Sequence, residues 1–451
     1  MSSSSLYRED AKKLLVLGFP LILSNLAQMA ITVTDTIMLG WYSIEALASI
    51  TLMGTMIFLF FIVGSGFAFA VMPLVAEAAQ RSDDVHIRRV TRMGMWLSVL
   101  YFFCIVSLLF WSETLLILLG QDPEIAAIAQ SYSRIAAWGT LGALLVMVLQ
   151  SYLSALELTK VVLWATISAA VMNGFANYVL IFGNWGAPEL GVRGAAIASV
   201  LSVLVSLVFL SFYAVYKKPE HALFQRVWRP DWEAMGTVFR LGWPIGMTSL
   251  AETGLFAATS VMMGWIGKIP LAAHGIALQL SAITFMVHVG LSNAATVRAG
   301  RALGRKDEAG LRQGAKVAIS MSVTMAILTI ILFLSLPEFL IGLFLDSEDP
   351  ERGNIVAVGA GLLAVAAVFQ FADGAQVMGL SLLRGVQDTR VPMIYAAVSY
   401  WLVGMPASYI LGFKFDLGGV GIWAGLVCGL AVAGVFMMAR FWGRSVRIGA
   451  R

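Results

Sequence analysis

Residues 17–41 read LGFPLILSNLAQMAITVTDTIMLGW, and residues 241–265 read LGWPIGMTSLAETGLFAATSVMMGW. At a constant offset of 224, eight of the 25 positions are identical without a gap. The same offset pairs Gly66 with Gly290, and RSDD at 81–84 with RKDE at 305–308. Internal similarity of this kind indicates a duplication, so the chain is interpreted as two homologous halves.

The composition indicates a membrane protein. Of the 451 residues, 59% are hydrophobic and only 12% are charged, and the mean hydropathy is +0.84. A soluble domain carries about 25% charged residues. The apolar runs are long and do not alternate with polar residues, which predicts membrane-spanning helices of about 20 residues rather than barrel strands. We therefore expect an all-α, multi-pass membrane protein.

Twelve transmembrane helices are predicted, six in each half. Their approximate ranges are 13–40, 46–72, 93–119, 125–154, 161–183, 194–216, 236–266, 271–297, 315–345, 354–384, 392–414 and 419–441. Because each half has an even number of spans, the two halves enter the membrane in the same direction. We predict two six-helix lobes, at 1–218 and 236–451, joined by a linker at 219–235 and related by a pseudo-twofold axis along the membrane normal.

The basic residues predict the orientation of the chain. The loops on the side of the two termini contain 25 Lys and Arg residues, and the loops on the other side contain five. By the positive-inside rule, both termini are expected in the cytoplasm. The membrane is expected to be the inner (plasma) membrane. The basic clusters are interpreted as topology determinants that face lipid headgroups. They explain the pI of about 9.0 without a nucleic-acid partner.

Three acidic residues lie well inside apolar stretches, namely Asp35, Glu252 and Asp373. An ionised carboxylate at the centre of a transmembrane helix costs about 2.5 to 3.5 kcal/mol, so such residues usually line a pathway. A structural carboxylate bonded to neighbouring helices is the alternative. In the repeat, Asp35 aligns with Thr259 and Glu252 with Gln28, so the two lobes differ in charge. Two acids in the second lobe favour a proton or sodium site between them.

Polar residues on two further spans could support these acids. Asn173 and Asn177 are four residues apart on the fifth span, and so on one helix face. They could hydrogen-bond Asp35 and help to hold an ion, or they could simply tie helices together. His274 and His288, on the eighth span, are interpreted as packed, neutral histidines.

Several chemistries have no support in the sequence. No phosphate-binding loop is present, since MMGWIGK at 262–268 lacks the first glycine and the hydroxyl. Nucleophile-elbow and zinc-protease patterns are also absent. Cys104 and Cys428 lie apart in apolar runs, which favours neither a disulfide nor a zinc site. We expect neither an enzyme nor a resident cofactor.

Four segments together resemble the multidrug and toxic compound extrusion (MATE) family, in its NorM-like branch. The resemblance covers nearly the whole chain, and it is carried by residues 17–40, 186–194, 251–279 and 369–392. It implies a cation-coupled antiporter that exports cationic, often aromatic compounds in exchange for H⁺ or Na⁺ by alternating access, and hence antibiotic resistance.

The resemblance also implies functional residues. It assigns a cation site, possible for Na⁺, to Glu252 and Asp373, and a polar cluster of the first lobe to Asp35, Asn173 and Asn177. Asp35 is a third candidate for binding the coupling cation. NorM-like relatives often have a tyrosine one turn before the aspartate that corresponds to Asp373, where this chain has Phe369. The lost hydroxyl removes a possible oxygen ligand, which weakens the case for sodium and leaves a proton possible.

Candidate contacts for a substrate are Phe256, Gln279 and Phe285, since an aromatic cavity with one or two acids would attract an amphipathic cation by burial, charge and cation-π contact. The expected partners are small cationic drugs and membrane lipid, and the expected state is a monomer. The alternative function is a flippase for lipids or lipid-linked precursors. Such a protein would need basic residues in its cavity, whereas the intramembrane charges here are acidic.

Overall fold

The structure is a computed structural model that describes residues 3–345 and 350–450. These residues contain twelve long helices. The described residues contain no β-strand, so the predicted all-α fold is confirmed. The long helices are α1 Ser3–Tyr42, α2 Ile44–Gln80, α3 Asp84–Phe110, α4 Pro123–Ala155, α5 Thr159–Phe182, α6 Val192–Lys217, α7 Trp232–Ile266, α8 Lys268–Arg305, α9 Glu308–Ser335, α10 Arg352–Gly385, α11 Arg390–Lys414 and α12 Gly418–Ser445. Short helices at Ser112–Leu118 and Pro337–Gly342 follow α3 and α9.

Within the described residues, eleven helices are long and apolar enough to cross a membrane, which makes this a multi-pass membrane protein. Only α7 among the twelve long helices lies outside this set. It has 35 residues, so it is about 52 Å long and more than spans a bilayer. Glu252 and its neighbours Ser249 and Thr253 lower the hydropathy of α7. The long helix that is not apolar enough to belong to this set is therefore α7, which carries the predicted site residue Glu252.

The duplication is visible in the backbone. Ser82 after α2 and Lys306 after α8 both adopt the left-handed conformation, with φ values of 54° and 56°. The next residues, Asp83 and Asp307, cap the following helices and each accepts a hydrogen bond from a backbone N–H three residues later, at 2.9 and 2.8 Å. The two turns therefore have the same local structure at the offset of the sequence repeat.

The chain divides into two compact units. The first unit is Leu23–Gly246, and the second unit is Met1–Ile22 with Met247–Arg451. Both divisions fall inside a helix, α1 and α7, whereas the sequence places the lobe boundaries at 218 and 236. The predicted first lobe contains all of α1, and the predicted second lobe contains most of α7. In the structure, the N-terminal part of α1 belongs to the second unit and the N-terminal part of α7 belongs to the first unit.

Glycine contacts explain this exchange. In the first unit, Gly66 of α2 packs against α7, where a β-carbon on Gly66 would meet Gly242 O and would lie 2.8 Å from Gly246 Cα. In the second unit, a β-carbon on Gly290 of α8 would lie 2.7 Å from Ile22 N of α1. Gly66 and Gly290 are repeat partners. At such short distances between backbones there is no room for a residue larger than glycine. These contacts hold the N-terminal part of α7 in the first unit and the N-terminal part of α1 in the second unit.

The segment between α6 and α7 is fastened to α3 in the first unit. The guanidinium of Arg92 donates to the carbonyl oxygens of Ala222 and Leu223 at 2.7 and 2.8 Å, and Trp96 Nε1 donates to a third carbonyl, that of Val227, at 2.7 Å. These side-chain N–H groups satisfy backbone carbonyl oxygens that would otherwise need hydrogen bonds from water. The predicted linker is therefore an ordered segment held by the first unit.

Helix α11 departs from regular α-helical geometry. Val398–Gly404 and Ile410–Lys414 are π-helical and flank a short α-helical stretch, Met405–Tyr409. Pro406 lies between them and has no N–H to donate, which breaks the regular hydrogen-bond ladder. π-Helical turns are rare and occur often at functional sites, and the buried Tyr400 lies in the first of these two stretches.

Candidate functional site

The first polar cluster lies in the first unit and centres on Asp35. Asp35 is half-buried on α1, and its Oδ1 accepts a hydrogen bond from Asn177 Nδ2 at 2.5 Å. Asn177 Nδ2 also donates to Asn173 Oδ1, one turn earlier on α5, at 3.2 Å. Ser199 Oγ on α6 donates to Asp35 Oδ2 at 3.3 Å. The structure thus brings together the three residues of the predicted first-lobe cluster.

A spare polar atom adjoins this carboxylate. Asn177 Oδ1 is buried and has no hydrogen-bond partner among the residues that the structure describes, whereas the Asn173 side chain also interacts with Asp35. Tyr132 of α4 interacts with both Asp35 and Ser199. Since buried polar groups in proteins are nearly always hydrogen-bonded, a spare acceptor beside a carboxylate suits a small polar or positively charged ligand.

The second polar cluster lies in the second unit and contains the other two acids. Asp373 of α10 is only 2% exposed, Glu252 of α7 is half-buried, and their carboxyl groups interact electrostatically. Asp373 Oδ1 is buried and lacks a hydrogen-bond partner in the described part of the chain. Two carboxylates in one apolar bundle repel each other unless they share a proton or a cation. The geometry therefore allows the predicted ion site.

Three further side chains join the second cluster. Gln376 Nε2 donates to Tyr400 Oη at 2.7 Å, and both residues are fully buried. Arg384 lies in the last turn of α10, and its charge acts on Glu252 and Tyr400. Eleven residues make about three helical turns, so Arg384 lies on the same face of α10 as Asp373 but about 16 Å further along the helix. Its positive charge therefore acts on the second cluster through Glu252 and Tyr400.

An aromatic wall adjoins this cluster. Phe256 packs edge-to-face on Phe369 with 6.0 Å between ring centroids, and Phe369 packs edge-to-face on Trp423 at 5.5 Å. Phe369 is one helical turn before Asp373 on α10. Phe369 occupies the position at which NorM-like proteins often have a tyrosine, and its ring makes apolar contacts there. This position therefore supplies no oxygen atom to Glu252 and Asp373.

The two histidines of α8 are buried and hydrogen-bonded. Trp423 Nε1 donates to His274 Nδ1 at 3.0 Å, and His274 Nε2 lies 3.0 Å from Ser260 Oγ. An indole N–H can only donate, so Nδ1 is the unprotonated nitrogen and Nε2 carries the hydrogen. His274 is thus held as a neutral imidazole. His288 Nδ1 lies 3.0 Å from Ser322 Oγ.

The predicted substrate contacts and metal ligands stay predictions. Phe256 belongs to the aromatic wall, while Gln279 and Phe285 are half-buried on α8. Across residues 3–345 and 350–450, no three His, Cys, Asp or Glu side chains are grouped so that they could hold a metal ion. An ion at Glu252 and Asp373 would need other oxygen ligands.

Five residues of these clusters are absent from the sequence prediction. Two of them, Gln376 and Arg384, lie on α10 with Asp373 and could have been found from their spacing, and the other three come from helices whose neighbours only the tertiary structure reveals. They are Tyr132, Ser199, Gln376, Arg384 and Tyr400.

The MatE family model matches the chain twice, at residues 20–179 and 244–410. The two matches begin 224 residues apart, which is the offset of the internal repeat. Together they cover well over half of the chain.

Relatives and solved structures agree with this match. A probable multidrug resistance protein NorM of Agrobacterium fabrum is 42% identical over 98% of this chain and 95% of its own length. A protein of the same description from Rhizobium meliloti is 43% identical over 97% and 94%. An outward-facing multidrug resistance MATE family transporter shares the fold, with a TM-score of 0.88 at 19% identity over 100% of this chain and 98% of the other. The chain therefore belongs to the MatE family, as its resemblance to MATE proteins predicts.

Proposed function

We propose that this protein is a multidrug efflux antiporter, which exports cationic, amphipathic or aromatic compounds in exchange for H⁺ or Na⁺. It is a transporter and not an enzyme, in keeping with the relatives, which are named as multidrug resistance proteins. The observation that carries the ion coupling is Asp373 Oδ1, a buried carboxylate oxygen without a hydrogen-bond partner among the described residues. A proton or a cation would supply that missing partner.

The two polar clusters have different roles in this proposal. Glu252 and Asp373 bind the coupling cation, and Arg384 supplies a positive charge that partly balances the acids when the cation leaves. Asp35, held by Asn177, forms a second polar centre in the first unit. Coupling arises because the cation and the drug stabilise different states of the transporter, and a ligand with equal affinity for both states would shift nothing.

The cellular placement follows the same proposal. The protein lies in the inner membrane with both termini in the cytoplasm, acts as a monomer and releases drugs to the outside. The excess of Lys and Arg on the side of the termini supports this orientation.

A lipid flippase is the second candidate. It would need cationic side chains that receive a phosphate inside the bundle. Arg384 is one such cation, but its charge already acts on Glu252. The acids outnumber this single arginine in the second polar cluster, so export of cations is favoured.

Reconstituted vesicles test the proposal directly. Proteoliposomes loaded with a fluorescent cationic dye are given an imposed proton gradient or an imposed sodium gradient, each without the other. We expect one of the gradients to drive dye transport above the level of empty liposomes. If neither gradient drives transport and labelled lipid is scrambled between leaflets, the flippase replaces the antiporter.

A variant tests the cation site within the same assay. Asp373→Asn removes the charge but keeps the size of the side chain, so gradient-driven transport should fall to near background. Glu338→Gln is the matched control, because Glu338 is an exposed acid outside both clusters, and it should transport as the unaltered protein does. Unchanged transport by Asp373→Asn would remove Asp373 from the coupling site.

A further inference from the structure

A cavity of about 410 Å³ lies at the C-terminal end of α12, apart from both polar clusters. Its wall is formed by the turn after α10, by the last residues of α12 and by Arg447, two residues beyond the end of α12. The side chains that matter here are Asp388, Arg440, Arg444, Ser445 and Arg447. Its volume is within the range of about 300 to 1,000 Å³ that is usual for small-ligand sites.

The inner part of the cavity is a closed hydrogen-bond network. Arg440 donates from Nε and Nη2 to the two carboxylate oxygens of Asp388, at 2.7 and 3.2 Å, and Ser445 Oγ donates to Asp388 Oδ2 at 2.7 Å. The side chains of Arg440 and Asp388 are only 15% and 13% exposed. The one carboxylate of the cavity is thus neutralised and fixed, and it does not repel an anion strongly.

The outer part of the cavity has an excess of positive charge. Arg444 and Arg447 are both exposed, and within the described residues neither side chain forms an ion pair or a hydrogen bond. Arg440 and Arg444 lie at the C-terminal end of α12, where Phe441–Ser445 is π-helical, Arg447 lies two residues beyond that end, and all three line the same cavity. Two uncompensated guanidinium groups at one cavity repel each other, and an anion between them would remove that repulsion.

The position of the cavity along α12 indicates the source of the anion. The largely apolar segment of α12 ends at Ala439, and Arg440 follows it directly. Trp442 is half-buried beside the cavity, with its ring 5.2 Å from that of Phe441. Tryptophan is enriched where a membrane meets water, and basic pockets between helices at this depth bind anionic lipid headgroups.

We propose that this cavity binds the phosphate group of an anionic phospholipid, with Arg444 and Arg447 as its ligands. Guanidinium groups bind phosphate through paired N–H···O bonds, which gives a geometric preference that a lysine lacks. The Asp388–Arg440 pair positions the end of α12 so that the other two arginines face the cavity. This site is independent of the ion and drug sites proposed above.

Lipid titration of the purified full-length protein tests the site. The melting temperature in detergent is followed while phosphatidylglycerol is added, and phosphatidylcholine is added in a parallel series. We expect a saturable rise with phosphatidylglycerol and little change with phosphatidylcholine, because a ligand that binds only the folded state stabilises it. An equal rise with both lipids would overturn the proposal.

Two double variants identify the residues. Arg444→Gln with Arg447→Gln should weaken the apparent affinity for phosphatidylglycerol at least tenfold. Arg226→Gln with Arg229→Gln is the matched control, since these residues are also exposed, also three apart, and likewise joined by a backbone hydrogen bond of 3.1 Å. The control should bind as the unaltered protein does. An equal loss in both double variants would show that net charge alone attracts the lipid.

Inorganic phosphate separates the two sources of a phosphate group. If the cavity serves a lipid, millimolar phosphate should compete weakly and should not stabilise the protein by itself. Stabilisation by phosphate alone, lost in the Arg444 and Arg447 double variant, would overturn the lipid assignment and leave a site for a soluble phosphate. Because every readout is binding or melting, a failure of the proposed transport function does not affect this test.

Discussion

The side-chain amide of Asn177 donates a hydrogen bond to Asp35 Oδ1 at 2.5 Å. The same nitrogen also donates to Asn173 Oδ1 at 3.2 Å. Asn177 is therefore the connection between the acid of α1 and the rest of α5, and it orients the carboxylate of the first polar cluster.

Replacing Asn177 should impair transport without unfolding the protein. Hydrogen bonds to charged groups contribute about 1.5 to 3 kcal/mol, so we expect Asn177→Ala to lower gradient-driven dye efflux by about tenfold. Asn184→Ala is the control, because Asn184 is more exposed and bonds only a backbone carbonyl, that of Tyr178. Normal efflux by Asn177→Ala would show that Asp35 does not depend on this bond.

The contact of Gly66 with Gly242 and Gly246 should tolerate no side chain. Overpacking a close contact costs about 1 to 3 kcal/mol, and Gly66→Val would place atoms inside the backbone of α7. We expect a melting temperature several degrees lower in detergent. Gly54→Ala on the same helix is the control, since nothing lies within 4 Å of a β-carbon there. A drop of equal size in both variants would contradict the role of this contact.

His221, in the segment between α6 and α7, is 2% exposed and joins two helices of the first unit. Its Nε2 lies 3.4 Å from Asp84 Oδ1, and its Nδ1 lies 2.6 Å from Tyr152 Oη. Because a carboxylate can only accept, the Nε2 side carries the hydrogen and Tyr152 donates to Nδ1. Burial lowers the pKa of His221 below its ordinary value, and the charges of Asp84 and Glu220 oppose that shift.

This lowered pKa predicts a pH-dependent stability. The unfolded chain binds a proton at His221 more readily than the folded chain does, so stability is retained above the unfolded pKa and is lost as the pH falls through the folded pKa. We expect the melting temperature to fall between pH 7.5 and pH 5, and His221→Gln to remove part of that fall. His86→Gln, on the neighbouring end of α3, should keep it. The same pH profile for His221→Gln and the unaltered protein would refute the prediction.

Phe369→Tyr should shift the ion preference. The new hydroxyl would stand one turn before Asp373 and would offer the cluster an oxygen that the phenylalanine ring does not supply. We expect sodium-driven efflux to rise at least twofold relative to proton-driven efflux. Phe371→Tyr is the control, because Phe371 is 47% exposed. An unchanged ratio in Phe369→Tyr would show that this position does not contribute to ion binding.

Much of the site could be predicted because charge in an apolar helix is visible in the sequence. Asp35, Glu252 and Asp373 are conspicuous for the cost of burying a carboxylate, and Asn173 and Asn177 follow from their spacing on one face. Gln376 and Arg384 could also have been found, since they lie three and 11 residues after Asp373 on the same face of α10. Tyr132, Ser199 and Tyr400 could not, because polar uncharged residues in a membrane helix have many possible partners.

The sequence by itself determined the helical membrane fold, the duplication and the acids that mark the two polar clusters. These features depend on hydropathy and periodicity, which are properties of each segment alone. Only the tertiary structure decided that the N-terminal parts of α1 and α7 belong to the opposite units, that Asn177 bonds Asp35, and that Arg384 acts on Glu252. The physical reason is that such contacts depend on which helices approach closely, and at Gly66 and Gly290 that approach is set by backbone packing between segments far apart in the chain.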